Sequence, residues 1–336
     1  MTPRARRRLT AILGLAVSLA LLAWVLRKTS LDEFAEHLRE AHRGPLIAAV
    51  ILATASFPLR AIRWRLLLRT PEDGPVSWRA LWHATAMGFM ANNTLPLRLG
   101  EVVRSYAASR LGGVTVAAAL SSVAVERALD LLTLVGLLGV ALLRAGLPAG
   151  TVVMGARLDA LALRAAVLCA AIFAIALFVV LFPSASERIL RTLVPFPRLA
   201  NWLQGIGNSL RQGFIVLRSP GRLALAVLWS LVIWLVGSAS FYVAFAAFDI
   251  PVGFAGGMLV QSLLAFGVAA PSSPGYFGIF EVVTAAALGL FGIPAALGIA
   301  YGITYHITTF IPITLLGLFS LLRTGLHVHE AAATRA

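Results

Sequence analysis

Six stretches of this chain are long and apolar enough to form membrane-crossing helices: Leu9–Leu26, Leu46–Leu59, Val114–Leu143, Leu161–Phe182, Leu223–Phe248 and Ala295–Leu322. A crossing needs about 20 residues at about 1.5 Å rise each. The second run reaches that length by continuing through Arg60–Leu68, with Arg60 and Arg63 read as side chains snorkelling to the interface. No water-soluble core could absorb this much apolar surface. Of the residues 59% are hydrophobic and 12% charged, about half the charge of an ordinary soluble domain, and the mean hydropathy is +0.88. The first run follows Arg4, Arg6, Arg7 and Arg8 as in a signal peptide. Trp24, Leu26 and Arg27 stand where a small-residue cleavage site would be needed, so it reads as an uncleaved span.

Two further stretches, Trp78–Leu111 and Phe254–Phe291, begin apolar, break and resume. The breaks read AMGFMANNTLPLRLGEVVR and LLAFGVAAPSSPGYFGIFEVV. Each half is too short to cross alone, and Pro and Gly interrupt the backbone ladder. Broken helices are tolerated in a bilayer only where the freed backbone is buried or lines a wet cavity. Both stretches are therefore expected to be re-entrant helical hairpins.

The arginines set an orientation. With the N-terminus inside, the cytoplasmic stretches hold seventeen basic residues against seven outside, so both termini are expected in the cytoplasm of an inner-membrane, multi-pass protein. A net charge of +14 then faces anionic headgroups rather than nucleic acid. Lys28 is the single lysine, which excludes a Walker-type phosphate loop. Cys169 reads as a packing residue, and no HExxH or Cys/His cluster signals a metal, so no cofactor is expected. Ser30–Arg43 reads as a short amphipathic helix with a Ser30/Glu33 capping box, and Pro195–Arg222 as holding an interfacial helix.

At a shift of about 180 residues the two broken stretches correspond. Gly88-Phe89 falls on Gly267-Val268, and Glu101-Val102-Val103 on Glu281-Val282-Val283. Three crossings lie between them, so the second hairpin would enter from the opposite face, the plan of inverted-repeat transporters. The expected fold is an all-α membrane protein: a polytopic bundle of six spanning helices plus two re-entrant hairpins, as an inverted repeat. It forms one transmembrane domain over 1–336, with half-repeats over 44–144 and 223–323 and a cytoplasmic loop over 183–222.

A charge at mid-bilayer costs about 2.5–3.5 kcal/mol on insertion scales, so buried ionisable residues need a reason. Glu101, Glu126, Asp130 and Glu281 are such acids. Arg127 is three residues from Asp130 and pairs with it most simply, leaving Glu126 to Arg98 or Arg104. Arg98 and Arg104 could instead hold a phosphate, since a guanidinium offers paired donors to its oxygens. Asn92, Asn93, Ser272, Ser273 and Gly275 would add dipoles at broken helix ends. His306 could relay protons, or simply be hydrogen-bonded within the bundle.

Three motifs carry a resemblance: N-x-L-P-x-R-x-G-E-x-x-R ending at Arg104, E-R-x-x-D over Glu126–Asp130, and P-x-x-P-G-x-x-G-x-x-E over Pro271–Glu281. Together they resemble the lysylphosphatidylglycerol synthase transmembrane family of flippase-like proteins, over about Leu46–Arg323. The resemblance implies a lipid-translocating bundle and a substrate site that includes Tyr305. The chain departs from it at His306, where an arginine is expected after Tyr305. Some members carry a cytosolic aminoacyl transferase domain. With the chain ending at Ala336, that activity is not expected here.

The reading is thus a non-enzymatic lipid flippase in the bilayer, handling a lipid with a phosphate headgroup such as an aminoacyl-phospholipid or polyprenyl-phosphate lipid. Two alternatives stay open: a non-catalytic partner of a lipid-modifying enzyme or glycosyltransferase, and a membrane-embedded transferase using Glu101 or Glu281 as general base.

Overall fold

The computed structural model describes residues 31–95, 99–147, 182–193, 220–269 and 274–326, with parts of 152–178. The first apolar run, most of Leu161–Phe182 and most of Pro195–Arg222 lie outside the described residues. The elements, in order, are α1 (Leu31–Glu40), α2 (Arg43–Leu67), α3 (Trp78–Thr94), α4 (Gly100–Gly112), α5 (Val116–Arg144), α6 (Pro183–Leu193), α7 (Pro220–Phe245), α8 (Phe254–Gly267), α9 (Ile279–Gly289) and α10 (Ala295–Thr324). Beyond short 3-10 turns, the described residues add a two-residue strand pair, Val152–Val153 with Ala156–Arg157, and a single β-bridge between Arg69 and Pro75.

Among the described residues, three helices are long and apolar enough to cross a membrane: Arg43–Leu67, Gly221–Phe248 and Ala295–Thr324. Helix α5 matches them in length at 29 residues but carries Glu126, Arg127 and Asp130 inside it. The run starting at Leu46 is one helix of 25 residues with Pro58 within it, as the continuation through Arg60 predicts.

Helix α10 is built inside out relative to a soluble helix. Ile307, Ile311, Leu315, Leu318 and Leu322 recur at three- and four-residue steps and are exposed. The opposite side buries Thr304, Tyr305, His306, Thr309 and Ser320. In water this would waste the hydrophobic effect; in lipid the apolar stripe faces its own solvent and the polar groups find partners within the bundle.

Each broken stretch is a pair of short helices packed on each other, α3 on α4 and α8 on α9. The packing then follows an exchange rule. Helix α3 lies against α10 and α8 against α5; α4 packs on α5 and α9 on α10; α2 and α7 pack on one another. Every one of these contacts keeps its counterpart when α2–α5 is swapped for α7–α10.

Small residues make the hairpins possible. A Cβ on Gly100 would sit 2.1 Å from the Gly88 carbonyl oxygen, so α3 and α4 touch backbone to backbone. Gly317 of α10 gives way in the same manner to α3, where a Cβ would lie 2.2 Å from Met90 Cβ. Close approach of this kind is the main source of helix association where lipid removes the hydrophobic drive. The first hairpin is further tied to α10 by Asn93 Nδ2 donating to Thr314 Oγ1 at 2.8 Å.

At one end, Asp73 in the loop after α2 accepts from Arg69 and from Arg222 at the start of α7, both at 3.2 Å. Hydrogen bonds from Arg222, then Arg69, hold its carboxyl below the ordinary carboxylate range. A carboxyl lowered by folding stabilises the fold at neutral pH and loses that contribution as acid protonates it. Asp73→Asn should lower the melting temperature slightly at pH 7, because the contact is exposed and screened. The gap from wild type should close as the pH falls below the carboxylate range, which melting curves across pH would show.

A buried arginine–carboxylate cluster

Three helices bring charged groups to a common point, and a fourth adds two neutral hydrogen-bonding side chains. On α2, Arg60 and Arg63 are three apart and share a face; on α5, Glu126 and Asp130 are four apart and do the same. Helix α4 contributes Arg104, and α7 contributes Ser230 and Trp234. Arg63, Arg104, Glu126 and Asp130 are all at most 4% exposed.

Glu126 accepts both Nη atoms of Arg104, at 2.9 and 2.8 Å, in the fork geometry that planar groups allow. It also meets Arg63 Nη2 at 3.2 Å and Arg127 Nη2 at 2.6 Å. Asp130 takes Arg63 Nη1 and the Trp234 indole N–H, the latter at 2.9 Å, with Arg127 Nη2 at 3.0 Å. Arg63 also donates to Ser230 Oγ at 2.8 Å. The Arg104 guanidinium stands 4.0 Å from the Trp64 ring centroid, a cation–π contact worth about 0.5–2 kcal/mol.

Arg60 is held more loosely. Its Nη1 is 3.9 Å from Asp130, and its guanidinium lies 5.3 Å from the Phe89 ring and 5.6 Å from Trp234. The cluster sets four guanidinium groups against two carboxylates in contact, a formal surplus of two positive charges. Glu101, in the first turn of α4, is within electrostatic reach of Arg127 and reduces the surplus without cancelling it. The Nε atoms of Arg60, Arg63, Arg104 and Arg127 are buried without a hydrogen-bond partner. The cluster thus carries more donors than its own carboxylates take up. Arg127, with 41% of its side chain exposed, and Arg60 with 13%, are the members that remain open.

The snorkelling expected of Arg60 and Arg63 is overturned. Arg63 is fully buried, because two carboxylates on another helix neutralise it more effectively than the interface would. Both residues, with Trp64, Ser230 and Trp234, belong to a site that sequence reading placed on the two hairpins, on Glu126–Asp130 and on Tyr305. One signal was available: Glu126 and Asp130 demand more cationic partners than their own helix supplies.

A second polar centre lies in the other half. Glu281 of α9 and His306 of α10 are buried, with His306 Nδ1 and Glu281 Oε1 2.7 Å apart. Glu281 Oε2 accepts the Gly278 backbone N–H at 2.6 Å, capping the start of α9 from its third position.

The remaining candidates divide. Asn92 Oδ1 accepts from Gly100 N–H at 2.8 Å and so closes the hairpin turn, while Asn93 reaches α10. Gly275 is buried with φ of +71°, in a turn that packs on α3; a Cβ there would meet Phe310 at 2.8 Å. Tyr305 is buried, sharing a 2.8 Å hydrogen bond with Ser240. Arg98, Ser272 and Ser273 lie outside the described residues. Neither Glu101 nor Arg104 pairs with the other: Arg104 spends its Nη atoms on Glu126.

Lipid-facing apolar stripes around a polar, charge-bearing interior define a helical membrane protein with a cationic internal site. Residues 11–317 match the family described as lysylphosphatidylglycerol synthase TM region. The chain belongs to this family. It is also similar to "Glycosyltransferase AglD" of Haloferax volcanii, with 33% identity over 144 residues, or 42% of this chain. That match spans 22% of the relative's own length.

Proposed function

We propose that this chain is a lipid translocator that moves a lipid with a phosphate headgroup between the leaflets of the inner membrane. The observation carrying the reading is the cationic surplus of the cluster inside an apolar bundle. A buried excess of positive charge is costly in lipid, and a phosphate supplies both the missing charge and the acceptor oxygens. Arg60 and Arg127 are the residues that would meet the headgroup, with Arg63 and Arg104 holding the site through Glu126 and Asp130. Glu101 lies beside Arg127 and would exclude a second anion.

The exchange rule in the packing supports a repeat; the odd number of crossings between the hairpins and the arginine count support its inversion, with both termini in the cytoplasm. Such a frame can open alternately around a fixed central site. No chemistry on the lipid is needed, so the reading is not enzymatic. In proteoliposomes, the wild type should exchange phosphate lipids between leaflets. Arg127→Gln should slow exchange about tenfold or more, the loss of one charge-assisted hydrogen bond of about 1.5–3 kcal/mol. Equal rates for both proteins, or no exchange of any phosphate lipid, would sink the idea.

The AglD match favours a second reading, in which the bundle serves as the non-catalytic membrane partner of a separate lipid-modifying enzyme or glycosyltransferase. Copurification of such an enzyme with the chain, together with absent exchange, is the result that would select it.

A further inference from the structure

We propose that Glu281 and His306 form the proton-loading site that couples translocation to a proton gradient. The inference rests on the translocator reading and assigns its driving ion. Glu281 is 1% and His306 4% exposed, on neighbouring helices of the half that does not hold the arginine cluster. Nothing in the cluster touches them, and the headgroup site does not need them.

The dyad is built to accept one proton without rearranging. Glu281 Oε2 is committed to Gly278 N–H at 2.6 Å, leaving Oε1 to the imidazole at 2.7 Å. With Nδ1–H donating to Oε1, an arriving proton forms an N–H bond at Nε2 and breaks none within the dyad. The pair passes from a formal charge of −1 to 0. Imidazole is the side chain whose charge changes between pH 5 and 8. Its charged form also has a setting here: the His306 ring stacks on Phe280 at 4.0 Å and 11°, with Phe277 at 4.6 Å and Phe310 edge-on at 6.0 Å. Ring faces stabilise a cation, while an unneutralised carboxylate in the same box is costly.

Among the described residues of the neighbouring helices, no ion pair competes for the dyad. Helix α8 has no titratable residue, and Glu281 is the only one on α9. On α10, Tyr301 donates to the Phe241 carbonyl and Tyr305 shares a hydrogen bond with Ser240, while Arg323 lies in the last turn. On α3, His83 bonds to Ser320, and Arg79 lies in the first turn. On α7, Arg222 is engaged with Asp73, and Tyr242 packs against Phe254. On α2, Arg60 and Arg63 belong to the cluster, Arg65 donates to the Val76 carbonyl, and Arg43 begins the helix. Helix α1 carries Asp32, Glu36, His37, Arg39 and Glu40 at the end of the bundle reached by the start of α2. None of these bonds to the dyad.

Coupling follows from position. Helix α9 and the turn over Pro274–Tyr276 belong to the second hairpin, and that turn packs on α3 of the first. Neutralising the dyad removes a negative charge from one hairpin while the headgroup adds one beside the other. The proton taken from water on one face is released to water on the other as the bundle returns.

The test uses full-length protein in proteoliposomes carrying a phosphate lipid that the wild type exchanges. Leaflet exchange is followed between pH 5 and 8, with and without an imposed pH gradient, for wild type, His306→Gln and Glu281→Gln. Exchange in the wild type should rise severalfold with the gradient, and a pH-sensitive dye should report proton entry with the lipid. His306→Gln should retain exchange but lose both the gradient response and the pH dependence between 5 and 8. Independently, the histidine signal lost in His306→Gln should titrate in that range in 15N-histidine-labelled wild-type protein, a readout that needs no transport. A His306 signal that does not titrate, or a gradient response that survives both substitutions, overturns the proposal while leaving the translocator reading intact. Absence of exchange in the wild type overturns that reading, and the coupling with it.

Discussion

Glu126→Gln should be the most damaging single change in the fold. Glu126 is fully buried and takes contacts from Arg63, Arg104 and Arg127. Glutamine keeps the shape, but it offers one acceptor oxygen and turns an amide N–H₂ toward guanidinium groups. The cluster would then hold four cations on a single contacting carboxylate. Breaking a buried ion pair by removing one partner costs about 3–5 kcal/mol, a large part of the about 5–15 kcal/mol that holds a typical fold. The expected result is a low yield of folded protein and a sharply lower melting temperature in detergent. Adding Arg104→Met to Glu126→Leu should recover part of the loss, because it removes the guanidinium whose ion pair is with Glu126 alone, while Arg63 and Arg127 keep Asp130. A double variant whose loss equals the sum of the two single losses would show that the residues act independently, against the geometry described here.

Gly100→Ala should come next, and for a steric reason. The added methyl would stand 2.1 Å from the Gly88 carbonyl oxygen and 2.5 Å from Asn92. Neither can yield without opening the hairpin, since the Gly88 oxygen is backbone and Asn92 is hydrogen-bonded to the Gly100 amide. Overpacking typically costs about 1–3 kcal/mol, and more where backbone must shift. Gly139→Ala is the control: nothing lies within 4 Å of its Cβ position, and alanine favours a helix over glycine by about 0.5–1 kcal/mol. Melting temperatures should fall for the first and hold or rise for the second. A tolerated Gly100→Ala would mean that α3 and α4 are not in backbone contact.

The helices were largely legible because lipid imposes its demands locally. The runs at Leu46, Val114, Leu223 and Ala295 became α2, α5, α7 and α10, and the two broken stretches became α3–α4 and α8–α9. Hydropathy and helix breakers act on neighbours in sequence, so each element could be read from its own residues. The acids Glu101, Glu126, Asp130 and Glu281 were legible as anomalies on the same grounds.

Partnership was not. Arg63 meets Asp130 across 67 positions, Trp234 reaches Asp130 across 104 and Asn93 reaches Thr314 across 221. No local pattern distinguishes an arginine that snorkels from one that a distant carboxylate draws inward, so Arg60 and Arg63 were misread. His306 stood in the sequence as a lone departure from an expected arginine; only the packing of α9 on α10 brings it to Glu281. From residues alone follow the membrane setting, the broken helices and which side chains are out of place in lipid. Which of them neutralise one another, and which cations are left over, depends on how the helices cross. The energy of a buried charge is set by what stands within a few ångströms of it, not by its neighbours in the chain.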